Sequence, residues 1–251
     1  MPATNPVWLH SSALYAPLQC LPAELTQTCN IMLLNDYASR LNICNAQGLP
    51  IRFTTMTSEV AYETHIDATG EIPTRTDNWH DYFNALAWLI WPQTKAILNH
   101  LHLRAGITPL RNRSRDALTL LDESGIIVAT SEVDLWGNLT QHQWYELFVN
   151  QRQRVKTNMA FHLLGHALYE KLRNPYPSIT GKCLLINVDK GFFELDTCAR
   201  QSRLDQQLAH QLSAEPPKTP QAFPPLPLFG IPEVTAENND PGYYQNTQIF
   251  R

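Results

Sequence analysis

The chain has 251 residues, 43% hydrophobic and 17% charged, with a net charge of −4. That balance suits a globular fold with a sizeable core and gives no overall attraction to nucleic acid or anionic lipid. The five cysteines are odd in number and none sits at C-x-x-C spacing, which argues against a disulfide scaffold or cysteine-rich zinc module and for reduced thiols in a cytoplasmic protein.

Residues 1–24 carry Pro2, Pro6, Pro17 and Pro22 and read as an irregular arm. They lack the basic start and long apolar run of a signal peptide. A helix is expected over Leu25 to Leu41, with Leu33, Leu34, Tyr37 and Leu41 at helical spacing. A turn at Gln47-Gly48-Leu49-Pro50 leads into a strand over Ile51 to Met56.

Residues 71–91 put Arg75, His80 and Asp81 at the mouth of a very apolar helix. Asn78 is the expected N-cap, with Asp81 at N3 reaching back as in a capping box. Trp79, Phe83, Leu86, Ala87 and Ile90 form its buried stripe, and Pro92 restarts the helix toward His102. The most apolar window, Ala85 to Trp91, is far shorter than the roughly 20 residues of a membrane span, so no membrane partner is expected.

Asp116 to Glu123 and Ile126 to Thr130 alternate on either side of a turn, a hairpin pattern. Helices are expected near Gln141 to Gln151 and Val155 to Leu172, a strand at Lys182 to Val188, and a helix at Asp196 to Leu212. Residues 213–251 interleave prolines with Phe223, Leu226, Leu228, Phe229, Ile231, Tyr243, Tyr244 and Phe250. They predict an extended Pro/aromatic arm packed back on one α+β domain of residues 25–212. That domain is mostly helical with a small, largely antiparallel sheet.

Several phrases, taken in order, carry a likeness. They are Tyr62-Glu63, Ile72-Pro73-Thr74-Arg75, Trp79-His80-Asp81-Tyr82-Phe83-Asn84-Ala85-Leu86, Arg115-Asp116-Ala117-Leu118-Thr119-Leu120, Gly165-His166-Ala167-Leu168-Tyr169-Glu170 and Pro225-Leu226-Pro227-Leu228-Phe229-Gly230-Ile231-Pro232. The chain resembles the bacterial family catalogued as domain of unknown function 3025. The likeness spans nearly everything after the first helix and implies one shared domain. It carries no activity, and it leaves His162 outside the shared pattern.

The chemistry-bearing residues fall into three groups. The start of a helix carries partial positive charge, which favours a neutral imidazole at His80 and an ionised Asp81. The bland alternative is a capped helix with a satisfied polar histidine. His162, His166 and Glu170 are spaced i, i+4, i+8 on an expected helix, a face suited to a divalent ion. Gly165 within that helix marks a close neighbour, and without H-E-x-x-H no metalloprotease is indicated. Arg104, Arg111, Arg113 and Arg115 form a run suited to an anion. Asp116, expected to point inward, would need Arg75 or Arg115 as partner. Glu63 adds a carboxylate for acid–base or metal work. No G-x-S-x-G, P-loop or G-x-G-x-x-G occurs, so there is no nucleotide-cofactor motif.

The leading expectation is a divalent-metal-assisted hydrolase acting on a small anionic substrate. Zinc, manganese or iron would sit on His80, Asp81 and His166. Glu63, His80 and Asp81 would be catalytic, and Arg75 and Arg115 would hold the anion. Two other classes stay open. One is a metal-free small-ligand or nucleotide-binding protein using the same pocket. The other is a protein-interaction or structural module that meets a protein partner through its C-terminal arm.

Overall fold

Apolar residues enter the core from the first segment of the computed structural model, which describes residues 13–55, 60–106 and 112–251. Within the arm expected over 1–24, Ala13–Cys20 is a 3-10 segment with Leu14, Tyr15 and Leu18 buried. Pro2 and Pro6 lie outside the described residues. The helix expected over 25–41 is two helices, α1 (Ala23–Gln27) and α2 (Ile31–Arg40). Asn30 breaks the run because its side chain caps α2, accepting the Met32 and Leu33 N–H groups. β1 (Arg52–Thr54) is the strand expected from Ile51, although Met56 lies outside the described residues. α3 (Tyr62–Thr69) ends on Gly70, whose left-handed φ of 73° and contact with the Pro50 carbonyl exclude a side chain. β2 (Glu71–Pro73) then pairs in parallel with β1.

The next two helices follow the local rules. α4 (Trp79–Ile90) is capped by Asn78, whose Oδ1 accepts the Asp81 N–H at 3.0 Å. α5 (Pro92–Arg104) opens on Pro92. The Asp81 carboxylate does not close a capping box. It reaches past the cap and accepts the Arg75 backbone N–H at 2.9 Å.

Two expectations fail further along. The hairpin arm at Asp116 to Glu123 is helical, part of α6 (Arg113–Ser124). Asn112 caps it, and Ala117, Leu118 and Leu121 bury one helical face. Alternation of Asp116, Leu118 and Leu120 fits two periods, and the cap selects the helical one. β3 (Gly125–Thr130) follows directly, buried along its whole length. After α7 (Val133–Thr140) comes one turn of π-helix at Glu146–Asn150, where a longer helix was expected. The helix expected over 155–172 is three elements: α8 (Arg152–Asn158), β4 (Met159–Leu163) and α9 (His166–Leu172). The buried β3 must pair on both edges to satisfy its backbone. β4 supplies one edge, antiparallel, with Ile127 opposite His162.

β5 (Thr180–Asn187) supplies the other edge in parallel, α10 (Thr197–Ala214) is capped by Asp196, and β6 (Pro225–Pro227) adds to β5 antiparallel. The expected α+β class and helical bias are observed. The four-stranded sheet, in the order β4-β3-β5-β6, is mixed and not purely antiparallel: β4–β3 and β5–β6 are antiparallel and β3–β5 is parallel, as is the separate β1–β2 pair. In the C-terminal arm, four 3-10 turns alternate with short extended pieces, and Phe223, Leu226, Leu228, Ile231, Tyr244 and Phe250 are buried in the core. The arm's apolar side chains are therefore largely spent inside the fold. Cys20 and Cys198 form a disulfide, which corrects the expectation of reduced thiols throughout; Cys29, Cys44 and Cys183 are free. Among the described residues no helix is long and apolar enough to cross a membrane.

Gly165 lies at the start of α9, not within a helix, and the Leu164 and Gly165 N–H groups both donate to the Gly125 carbonyl. A Cβ there would come within 2.5 Å of the Glu123 carbonyl oxygen and 2.6 Å of the Gly125 nitrogen. Gly165→Ala is expected to destabilise the fold by about 2 kcal/mol, measured by urea unfolding. A wild-type midpoint in this variant would refute the close packing of α9 on the α6–β3 junction.

Candidate functional site

The ends of α3, α4, α6 and α9 meet around a cavity of about 270 Å³. Its wall includes Glu63, Arg75, His80, Asp81, Asp122 and His166. Five residues singled out from the sequence, Glu63, Arg75, His80, Asp81 and His166, are thus brought to one place. Asp122 is new.

Lys95 sets the deep end. Its side chain on α5 is only 5% exposed, and its ammonium lies 2.5 Å from Asp122 Oδ1 and 2.8 Å from Asn84 Oδ1. Asn84 in turn donates to the Tyr62 hydroxyl at 2.7 Å. Burial works against the Asp122 carboxylate, but Lys95, with His166, holds it below the usual range. One turn along α5, Asn99 donates to Glu63 Oε2 at 2.5 Å. Burial outweighs that bond and pushes the Glu63 carboxyl up to about 7.

The histidines form the chemical centre. His80, in the first turn of α4, and His166, at the start of α9, present their Nε2 atoms to each other at 3.2 Å. Only one of the two can carry the intervening hydrogen. Behind His80, Nδ1 meets Glu170 Oε2 at 3.0 Å. Behind His166, Nδ1 lies 3.7 Å from Asp122 Oδ2, close enough for charge attraction but too far for a hydrogen bond. The result is a line of four groups, carboxylate, imidazole, imidazole, carboxylate. It runs from the Lys95–Asp122 pair, in which the lysine is buried and the aspartate partly so, to the half-exposed Glu170. Burial drives His166 down to about 4, against the pull of Asp122, so its ring is neutral at neutral pH. The buried His102, also on the wall, falls to about 4 for the same reason.

The arginines are placed less favourably for an anion. Arg75 clamps Asp81 through Nε at 2.7 Å and Nη2 at 2.9 Å. Burial opposes the Asp81 carboxylate, and that clamp still holds it below the usual range. Arg115 is on α6 but not on the cavity wall, and its Nε is buried without a hydrogen-bond partner among the described residues. Arg111 lies outside the described residues. His162 does not share a face with His166: it is on β4, bonded to Gln201, and lines a different cavity. Glu170 does keep its helical relation to His166, and both reach His80.

Asp122, at the end of the arm expected over Asp116 to Glu123, has no signal of its own in the sequence. Lys95, Asn99 and His102 did have one: they fall at i, i+4 and i+7 of one helix, a polar stripe that is buried. Among the described residues no three His, Cys, Asp or Glu side chains gather as a ligand set.

A family model described as "Protein of unknown function (DUF3025)" matches residues 51–251, a span that holds every residue of this cavity. No curated protein and no solved structure matches the chain.

Two pH dependences follow. Burial also takes His162 to about 4. Histidines 102, 162 and 166 thus titrate lower in the folded than in the unfolded chain, where about 6.5 is normal. Their stabilisation is full above pH 6.5 and is lost as pH falls toward 4. His162→Asn is expected to reduce the slope of unfolding free energy against pH by close to one proton in that window. Glu63 has the opposite sign, because its raised pKa favours the folded state only while the carboxyl is protonated. Relative to wild type, Glu63→Gln is expected to gain up to about 3 kcal/mol of stability between pH 4 and pH 8. A pH-independent difference would refute the raised pKa of Glu63.

Proposed function

Because the chain belongs to the DUF3025 family, whose description names no activity, its chemistry has to be read from the cavity, and we propose that it is a hydrolase for a small polar molecule working through the His80–His166 pair. The observation that carries this reading is the carboxylate-backed imidazole pair on the wall of a cavity sized for a small ligand. A neutral His166 can accept a proton at physiological pH. Glu170, bonded to His80, holds the orientation of that ring, and Glu170 and Asp122 both stabilise a proton placed on the pair. A water held against the pair would lose its proton to an imidazole as its oxygen attacks the substrate. Glu63, with a carboxyl near 7, is suited to return a proton to the leaving group. With Arg75 held by Asp81 and Glu63, Asp122 and Glu123 on the wall, an uncharged substrate suits the cavity better than an anion.

One observation favours a second reading, a divalent metal on His80 and His166. Two imidazole nitrogens bound to one tetrahedral zinc lie about 3.3 Å apart, and here the Nε2 atoms are 3.2 Å apart. Carboxylates behind ligating histidines are also usual in metal centres. The ion would take its remaining ligands from solvent or substrate, since Asp81 is engaged by Arg75.

The test is a screen of small esters, amides and lactones with protein freed of metal by chelation. Hydrolysis that survives chelation and falls about 100-fold or more in both His80→Gln and His166→Gln, with the fold intact by circular dichroism, is the expected result. Near-stoichiometric zinc in the untreated protein, lost in the double variant, would move the reading to the metal. Hydrolysis indifferent to both substitutions would reject the site.

A further inference from the structure

The disulfide lies away from the cavity but is linked to it by packing. Cys20 ends the 3-10 segment Ala13–Cys20, and Cys198 is exposed in the first turn of α10. The bond joins positions 178 residues apart and pins the segment to α10. From that segment Tyr15 stacks on Tyr169, with ring centroids 6.0 Å apart and planes at 29°. Tyr169 stacks in turn on Phe83, at 5.8 Å and 21°. Tyr169 is on α9 between His166 and Glu170, and Phe83 is on α4 one turn after His80. Just beyond Cys20, the Leu25 carbonyl accepts the Tyr82 hydroxyl of α4 at 2.8 Å. Residues 14–25 therefore brace both helices that carry the imidazole pair, and the disulfide anchors that brace.

We propose that Cys20–Cys198 is a thiol–disulfide exchange site for a dithiol reductant, and that its reduction loosens α9 and with it the His80–His166–Glu170 alignment. A thiolate of the dithiol attacks Sγ of Cys198, the more exposed of the two residues. The Sγ–Sγ bond breaks, and Cys20 leaves as a thiolate and takes a proton. The second thiolate of the reductant attacks its own sulfur in the mixed disulfide and releases Cys198, which is protonated. Two electrons and two protons pass to the protein, and the reductant leaves as its own disulfide. The freed segment is then held only by noncovalent contacts of a short 3-10 run, which opens more readily than a tethered one. This control is independent of the reaction the site performs, and its test uses no substrate.

The experiment is amide hydrogen exchange read by mass spectrometry on the full chain in three forms: oxidised, reduced with dithiothreitol, and as the Cys20→Ser/Cys198→Ser double variant. Thiol titration of the unfolded protein fixes each state, with three thiols expected when oxidised and five when reduced. Exchange in residues 166–172 is expected to rise three- to tenfold in the reduced and double-variant forms, with β3 unchanged. Tyr15→Ala, kept oxidised with three thiols, is expected to reproduce the rise, because it removes the ring stack and leaves the bond. Equal exchange of α9 in the oxidised and fully reduced proteins would overturn the proposal. So would a silent Tyr15→Ala, or a wild type that retains five thiols under oxidising conditions.

Discussion

A buried ammonium needs a counter-charge, and the position of Lys95 determines much of this molecule. Moving a lysine out of water is costly unless it is paired and hydrogen-bonded. Asp122 and Asn84 supply those partners. They come from α6 and α4, so one charge on α5 draws three helices together. Asp122 is near the end of α6, where the chain passes straight into β3. The same junction receives Gly165, whose lack of a side chain lets α9 begin against it. The carboxylate that neutralises Lys95 is therefore also the one that faces His166.

The charges around the cavity are mostly consumed internally. Arg75 is spent on Asp81 and Lys95 on Asp122; of the other groups on the wall, the imidazole pair and Glu63 are the ones the proposed reaction uses. Burial shapes both. It keeps His166 neutral, and it holds Glu63 protonated far above the normal range of a carboxylic acid. The two effects have one cause, the cost of charge in a low dielectric, and give opposite roles because one group is a base and the other an acid. The tyrosine–phenylalanine stack behind the pair adds a mechanical element. It makes the orientation of α9 depend on a segment near the start of the chain.

The site was partly legible in the sequence, and the reasons differ from residue to residue. His80 and Asp81 stood out because caps and helix starts are local: Asn78, Pro92 and Gly70 act on neighbours a few positions away. His166 and Glu170 stood out through helical spacing, which survived even though the helix was shorter than expected. His162 was drawn in by the same spacing and was wrong, because the demand of β3 for an edge partner turned 159–163 into a strand. The helix at 113–124 was hidden by alternation that also fits a period of 3.6, with the cap at Asn112 as the deciding feature. Arg115 failed because charge type predicts what a side chain can bind and not which way it faces.

By itself the sequence determined what depends on neighbours along the chain: the caps and breaks around α4 and α5, the helical bias, the apolar stripe of α4, and the residues that carry proton chemistry. Only the tertiary structure decided which of them meet. The 3.2 Å approach of His80 to His166, the pairing of Lys95 with Asp122, and the Cys20–Cys198 bond each join positions 27 to 178 residues apart. Contacts at such separations are selected by burial and strand pairing over the whole chain, where the cost of an unpaired charge or backbone group outweighs local preference.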